Sequence, residues 1–356
     1  MKLLVSSEPN NFDAIRIAMA LLVVWSHSFA LYFGTEANEP LSLLTAGVAN
    51  AGNVAVDVFF IVSGFLILKS LERSSSNWSF LKKRIARIVP GFMVATSLCA
   101  FVLLPALAGT HYTLGNVLKT LSMNLLLQGW FVDSNPFVHN HVQAINGSLW
   151  SIPFEFWCYL GVLAYGMVKG GKALLVSVLI VVIALDVWTT ATGKQWGGGI
   201  ITQIVGWPNF WFRMAPCFMA GMLVYLFRGL IPRSGWIVLT SLVFLVGGAR
   251  FAPLTARAFL PIILAYTVFY CAFCRQFWRA AKYGDFSYGT YLYAFPIQQL
   301  ILAFTVFSFP IFVGISMLLS GLAGIASWFA VERWFHRARE PIASRKPVLL
   351  HASEQG

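Results

Sequence analysis

The chain has 356 residues, 58% of them hydrophobic and 11% charged, with a formal net charge of +12. Soluble domains carry charge on about a quarter of their residues, so this composition excludes an ordinary soluble globule. Apolar runs close to the roughly 20 residues that cross a bilayer recur along the whole length, and the expected fold is an all-α, polytopic transmembrane helical bundle.

The first run, Ile15 to Ser28, reads IRIAMALLVVWSHS. The apolar run it belongs to, 14–33, is about as long as a full span, longer than the ~7–15 apolar residues of a signal peptide, and shows no small-x-small cleavage pattern, so it is expected to stay as a span. About ten spans are expected, near 14–33, 53–70, 86–106, 148–168, 173–191, 209–227, 236–250, 259–275, 288–307 and 310–332. With the N terminus in the cytoplasm, the inner side gathers Lys2, Lys82, Lys83, Arg84, Arg87, Arg275, Arg279, Lys282 and the basic C-terminal residues. Only Lys119, Lys194, Arg250 and Arg257 fall on the outer side. That asymmetry follows the positive-inside rule and places both termini in the cytoplasm. The basic excess is therefore topology facing membrane lipids, and no nucleic-acid partner is expected. Residues 1–335 read as one integral membrane domain, and 336–356 as a short basic cytoplasmic tail that is disordered or lies on the inner leaflet.

The longest outer loop runs from Leu107 to Gly147 and contains the amphipathic piece LGNVLKTLSMNLLLQGWF, 114–131. Lys119, Asn116 and Asn124 favour a re-entrant or interfacial helix there. A crossing at this point would move every later loop to the other side and erase the charge asymmetry. His139 and His141 form H-x-H in the same loop, with His111 and Asp133 not far away, but a zinc site is the weaker reading and no metal is expected. Cys271 and Cys274 form C-x-x-C inside a span, where packing explains them better than redox or metal chemistry.

Ionisable groups inside spans are expensive and are functional candidates by default. Arg16 and His27 are eleven residues apart, which puts them on one face of a helix, roughly 16 Å apart. Helical arithmetic places His27, Asp57, Glu155, Asp186 and Arg213 in the outer half of the bilayer. A His level with carboxylates suits a base held in one tautomer, although some of these carboxylates, Asp186 among them, also have a simpler use in neutralising Arg213. At the inner face, FLKKRIARIVP (80–90) puts Arg84 and Arg87 on one helical side beside Lys83, with Arg16 facing the same surface. Guanidinium forks match phosphate oxygens, so this cluster suits a cytoplasmic polyanion as well as a topology anchor. No P-loop, G-x-G-x-x-G or G-x-S-x-G pattern competes with it. On the charges alone, proton-coupled transport of a sugar or sugar lipid fits as well as acid–base catalysis on a polyanionic substrate. A non-catalytic scaffold leaves the buried charges unexplained.

Several motifs resemble those of the membrane-bound acyltransferase family 3, the integral-membrane O-acyltransferases of bacterial envelopes. FDAIRIAMALLVVWSHS (12–28) is similar to the family's first helix, with its Arg, ten residues, then His, matched by Arg16 and His27. VDVFFIVSGFLI (56–67) resembles the second-helix motif, and Arg84 and Arg87 match the R-x-x-R element. NGSLWSIPFEFWCYLG (146–161) is similar to the S-L-W…E segment and carries Glu155; YGDFSYGTYLYAFPIQ and FAVERWF resemble the late motifs. Three departures stand out: Ile17 where the family often has Gly, Ala294 where it often has His, and Trp334 where it usually has Pro.

The resemblance implies an acyl-CoA donor, usually acetyl-CoA, as co-substrate on the cytoplasmic side, with no permanently bound cofactor. It also implies a carbohydrate or lipid-linked glycan hydroxyl as acceptor and residence in the bacterial inner membrane. On that footing Arg84, Arg87, Lys83 and Arg16 are expected to hold acyl-CoA. His27 would be the base, Arg16 would steady the donor or the developing oxyanion, and Glu155 or Asp57 would orient His27 or the acceptor. With the motif set, acyl transfer outranks transport.

Overall fold

The computed structural model describes residues 10–197, 202, 205–274 and 284–336. Its helices are α1 (Phe12–Phe33), α2 (Pro40–Leu44), α3 (Ala51–Glu72), α4 (Asn77–Leu98), α5 (Leu114–Leu125) and α6 (Ile152–Met167), followed by α7 (Lys172–Thr192), α8 (Pro208–Phe227), α9 (Gly235–Phe251), α10 (Pro253–Ala272), α11 (Ser287–Phe304) and α12 (Phe309–Ser327). A π-helical turn at Cys99–Leu103 carries α4 on to Leu104–Ala108, and another at Trp328–Glu332 carries α12 on to His336. Lys2, Arg275, Arg279, Lys282 and the expected tail from 337 onward lie outside the described residues.

Each expected span coincides with a helix, but seven helices among the described residues are long and apolar enough to cross a membrane. These are α1, α3, extended α4, α7, α8, α10 and extended α12. Of the other three, α9 is apolar but only 17 residues long, α6 has 16 residues, and α11 buries Gln298 and Gln299 along its length. Helix α5 has 12 residues, about 18 Å of rise, too short to cross.

Caps and breakers set the helix ends. Asn50 accepts the Asn53 N–H at 2.7 Å to start α3, and Ser76 accepts the Ser79 N–H at 3.1 Å to start α4, each satisfying an orphan donor of the first turn. Helix α1 stops at Gly34, whose φ of +73° suits a residue without Cβ.

Helices α1 and α3 run antiparallel. The rings of Phe12 and Phe65 meet at 5.4 Å near one end, and Ser26 lies against Gly52 near the other. Helix α8 packs on α3 through glycines: a Cβ on Gly221 would sit 2.0 Å from the Ile61 carbonyl oxygen, and one on Gly64 would sit 1.9 Å from that of Phe218. Small residues let helix backbones approach where lipid supplies no hydrophobic drive. Helix α11 lies along α1, where the Gln298 amide donates to the Val24 carbonyl at 2.9 Å and to Ser28 Oγ at 2.8 Å.

The segment between α5 and α6 enters the bundle instead of staying on its surface. Asn146 donates to the Leu292 carbonyl at 2.9 Å, and Ser151 Oγ lies 2.7 Å from Tyr291 Oη. Tyr291 and Leu292 stand about two turns along α11 from Gln298. Irregular backbone is tolerated at that depth only when protein covers it, and here α11 does so. Helix α6 therefore starts part-way through the bundle, which is why it is short.

Gly221→Ala should push α3 and α8 apart and cost about 1–3 kcal/mol. Gly161→Ala, with nothing within 4 Å of the added Cβ, should cost far less. Thermal unfolding of both purified variants in detergent checks this; equal shifts would mean that the glycine contact does not limit stability.

Candidate active site

A cavity of about 1230 Å³ opens at the end of the bundle where α4 begins. Its walls include Arg16 of α1, Lys83, Arg84 and Arg87 of α4, and Ser63 of α3. The four residues expected from charge pattern to hold a polyanion thus share one chamber.

The chamber is organised by a carboxylate that the sequence reading did not single out. Asp285, just before α11, accepts from both Arg16 and Arg87 on the same oxygen. Its second oxygen takes the Ser287 hydroxyl at 2.5 Å and the Ser287 N–H at 3.3 Å. The Arg87 guanidinium also lies over the Tyr288 ring, 5.7 Å from its centroid, and Tyr288 is fixed by donating to the Ile88 carbonyl at 2.8 Å. Burial alone would push the Asp285 carboxyl up, but the two guanidiniums outweigh it and hold that carboxyl well below the usual carboxylate range. Glu332, placed by the π-helical turn after α12, accepts from Ser327 at 2.9 Å and lies within electrostatic reach of Arg87.

Glu155 belongs to the same end. It accepts from Ser63 at 2.9 Å and from Tyr159 at 2.5 Å, and both donors line the cavity. The Arg84 guanidinium sits between the Phe80 and Tyr159 rings, 5.7 Å from each centroid, and donates to Ser70 at 3.3 Å. With Ser26 facing Gly52, ten residues of α1 and eleven of α3 bring Arg16 and Ser63 to within about 2 Å of the same level. Glu155 therefore stands level with Arg16, not with His27. The level expected from sequence assumed that α6 began at the far end of the bundle, whereas the inward loop moves its start.

His27 lies about 16 Å further along α1, its ring edge-on to Phe295 with centroids 5.6 Å apart. Its Nδ1 is buried without a hydrogen-bond partner among the described residues, as are Ser26 Oγ, Ser148 Oγ and Gln298 Oε1. Buried polar atoms are nearly always paired in native proteins, so a group of orphans in neighbouring segments points to a ligand or ordered water. Gly147 packs against the Phe295 ring as well, which brings the segment 146–151 to the histidine's surroundings.

Asp57 is committed elsewhere. It is 2% exposed and takes both oxygens' bonds from Arg213, at 3.1 Å each. Asp186 pairs with Arg257 at 2.7 and 2.9 Å, not with Arg213 as considered from the sequence. Arg257 is available because α10 starts at Pro253, earlier than the span expected near 259. No group of three or more His, Cys, Asp or Glu side chains placed to hold a metal ion, His139 and His141 included, occurs among the described residues. Cys271 and Cys274 are free thiols, and Cys274 Sγ, just past the end of α10, donates back to the Tyr270 carbonyl at 3.2 Å.

Seven apolar helices and a chamber lined by arginines and a carboxylate define the class as a multi-pass helical membrane protein. The profile of the acyltransferase domain family matches residues 10–331, and the chain belongs to that family. It is 30% identical over 351 residues to an O-acetyl transferase of Shigella phage Sf6, covering 93% of this chain and 97% of the relative. It is 26% identical over 331 residues to nodulation protein 10 of Rhizobium leguminosarum bv. viciae, covering 84% and 85% of the two chains. The acyltransferase MdmB of Streptomyces mycarofaciens shares 32% identity over 151 residues, 42% of this chain and 37% of that one. No solved structure matches.

Asp285→Asn keeps the shape but leaves two buried guanidiniums without their countercharge. The expected loss is about 3–5 kcal/mol of unfolding stability, the usual result of removing one partner of a buried pair. A carboxyl held low stabilises the fold fully above its unfolded value, about 3.9, and loses that contribution as the pH falls towards its native value. Unfolding between about pH 5 and pH 2 should show this acid loss in the wild type and a smaller one in Asp285→Asn. Identical profiles would remove Asp285 from the stability account.

Proposed function

We propose that the protein transfers an acyl group, in the simplest case acetyl, from acyl-CoA to a hydroxyl of a cell-envelope or exported carbohydrate. One observation carries the reading: Arg16, Lys83, Arg84 and Arg87 line a single cavity whose inner wall, Ser63 and Tyr159, is hydrogen-bonded to Glu155. The names of the relatives, O-acetyl transferase and acyltransferase, support the reaction class. Coenzyme A carries several phosphate charges on a long, thin arm, and guanidinium forks suit the phosphates. By the positive-inside rule the basic end faces the cytoplasm, where acyl-CoA is made, in a bacterial inner membrane.

In this reading the arm extends the thioester along α1 from Arg16 towards His27. The acceptor hydroxyl attacks the thioester carbonyl carbon while the free Nδ1 of His27 takes its proton. The tetrahedral intermediate collapses with loss of the coenzyme A thiolate, which recovers the proton from His27. A thioester is already activated, so neither a covalent enzyme intermediate nor a resident cofactor is required. The orphaned Ser26, Ser148 and Gln298 atoms offer hydrogen bonds to a hydroxyl-rich acceptor. Glu155 acts on the donor side by fixing Tyr159 and Ser63, and Asp57 acts through Arg213 by holding α3 against α8.

His27→Ala should lower acyl transfer by about 10²–10⁴-fold, the range for losing a general base, while leaving acetyl-CoA binding near the wild-type value. Near-normal turnover at normal expression would remove His27 from the mechanism.

Arg84→Ala and Arg87→Ala should each weaken acetyl-CoA binding about tenfold, as expected for losing one charge-assisted hydrogen bond. Calorimetry on purified protein reads this directly. Unchanged affinity in both variants would assign the arginines to topology alone. A proton-coupled transporter would bind no acetyl-CoA at all.

A further inference from the structure

The cavity is elongated. Its wall follows α4 from Ser76 to Pro90, fourteen residues or about 21 Å of helical rise. The two ends differ in character. At the inner end the cations already have anionic or aromatic company: Arg16 and Arg87 share Asp285, and Arg84 rests against Tyr159, which binds Glu155.

At the outer end stands Trp78, which lines the cavity yet leaves 58% of its surface exposed. The ammonium of Lys82, one turn on, lies 5.3 Å from the centre of its ring. Lys82 has no carboxylate partner among the described residues, and Ser75 and Ser79 add hydroxyls beside it on the same wall. A largely exposed indole at an entrance, with a cation that has no carboxylate partner among the described residues and hydroxyls on the same wall, has the make-up of a nucleotide site. Base–aromatic stacking supplies affinity, and the ammonium supplies a phosphate contact.

We propose that the entrance of this cavity is a purine-nucleotide subsite in which Trp78 stacks the adenine of the donor and Lys82, with Ser75 and Ser79, takes its 3′-phosphate. The nucleotide is then held at the surface while the pantetheine arm runs inward past Arg84 to Arg16. This assignment rests on the reading that the donor is an acyl-CoA, and it divides the donor's charge between two groups of residues: Lys82 at the entrance and the arginines further in. The competing explanation for an exposed tryptophan at the end of a membrane helix is an interfacial anchor. An anchor would not distinguish one donor fragment from another.

The test uses the full-length purified protein and three ligands: coenzyme A, 3′-dephospho-coenzyme A and 4′-phosphopantetheine, which lacks the nucleotide. The wild type should bind coenzyme A about tenfold or more tighter than phosphopantetheine, the contribution of about one base–aromatic stack. Trp78→Ala should remove most of that difference by weakening coenzyme A alone, and Trp78→Phe should restore it in part. Lys82→Ala should narrow the gap between coenzyme A and its dephospho form. The wild-type ratio needs no variant, so it is read even if Trp78→Ala folds poorly. Equal affinity of the wild type for coenzyme A and phosphopantetheine would overturn the subsite while leaving the donor assignment standing, and so would a Trp78→Ala variant that keeps the full preference. Failure of the wild type to bind any of the three would overturn the donor assignment and the subsite together.

Discussion

Asp285 holding Arg16 and Arg87 is the contact on which the rest of the site depends. It ties α1, α4 and the start of α11 together at one end of the bundle. Two guanidiniums brought side by side in a partly dry chamber would repel one another, and one carboxylate between them converts that repulsion into a cross-link. Arginine has five donors in a fixed fork, so each can satisfy Asp285 on one edge and still present N–H groups to the cavity. The ion pairs therefore orient the two guanidiniums without using up their donors.

The second constraint is the close approach of α3 and α8. The glycines at 64 and 221 bring the two backbones together, and the Asp57–Arg213 pair spans the same interface. Asp186 and Arg257 add a further pair between α7 and α10, and Cys217 sits among all four charges. This half of the bundle uses its charges to fix helices. The other half, built from α1, α4, α6 and α11, uses them to line a chamber. A buried carboxylate has one chemistry and two uses, and only its neighbours separate them.

Helix positions were legible in the sequence because length and hydropathy carry them; every expected span coincides with a helix. The shared chamber of Arg16, Lys83, Arg84 and Arg87 was legible too, since i, i+3 spacing puts Arg84 and Arg87 on one side and the charge asymmetry marks the end. Asp285 was not, although it stands inside a recognised motif. It lies between helices and meets Arg16 across 269 positions of chain, so no periodicity points to it. The depth of Glu155 was misjudged for a different reason. Counting turns from a helix end presumes that the helix starts at the membrane surface, and the inward loop before α6 breaks that presumption. That a carboxylate would neutralise Arg213 was legible, but which one was not, because the choice between Asp57 and Asp186 is made by tertiary packing.

The proposed mechanism separates two chemistries along α1: a charged chamber for the donor at one end, and His27 with its unpaired polar neighbours about 16 Å away for the acceptor. It therefore assigns the donor to one face of the membrane. The most direct measurement supplies labelled acetyl-CoA to sealed inside-out and right-side-out membrane vesicles of matched protein content, with envelope glycan as acceptor, and follows label transferred to the glycan. The account predicts transfer only in inside-out vesicles, where the basic end faces the added donor. Equal transfer in both orientations, or transfer confined to right-side-out vesicles, would contradict it.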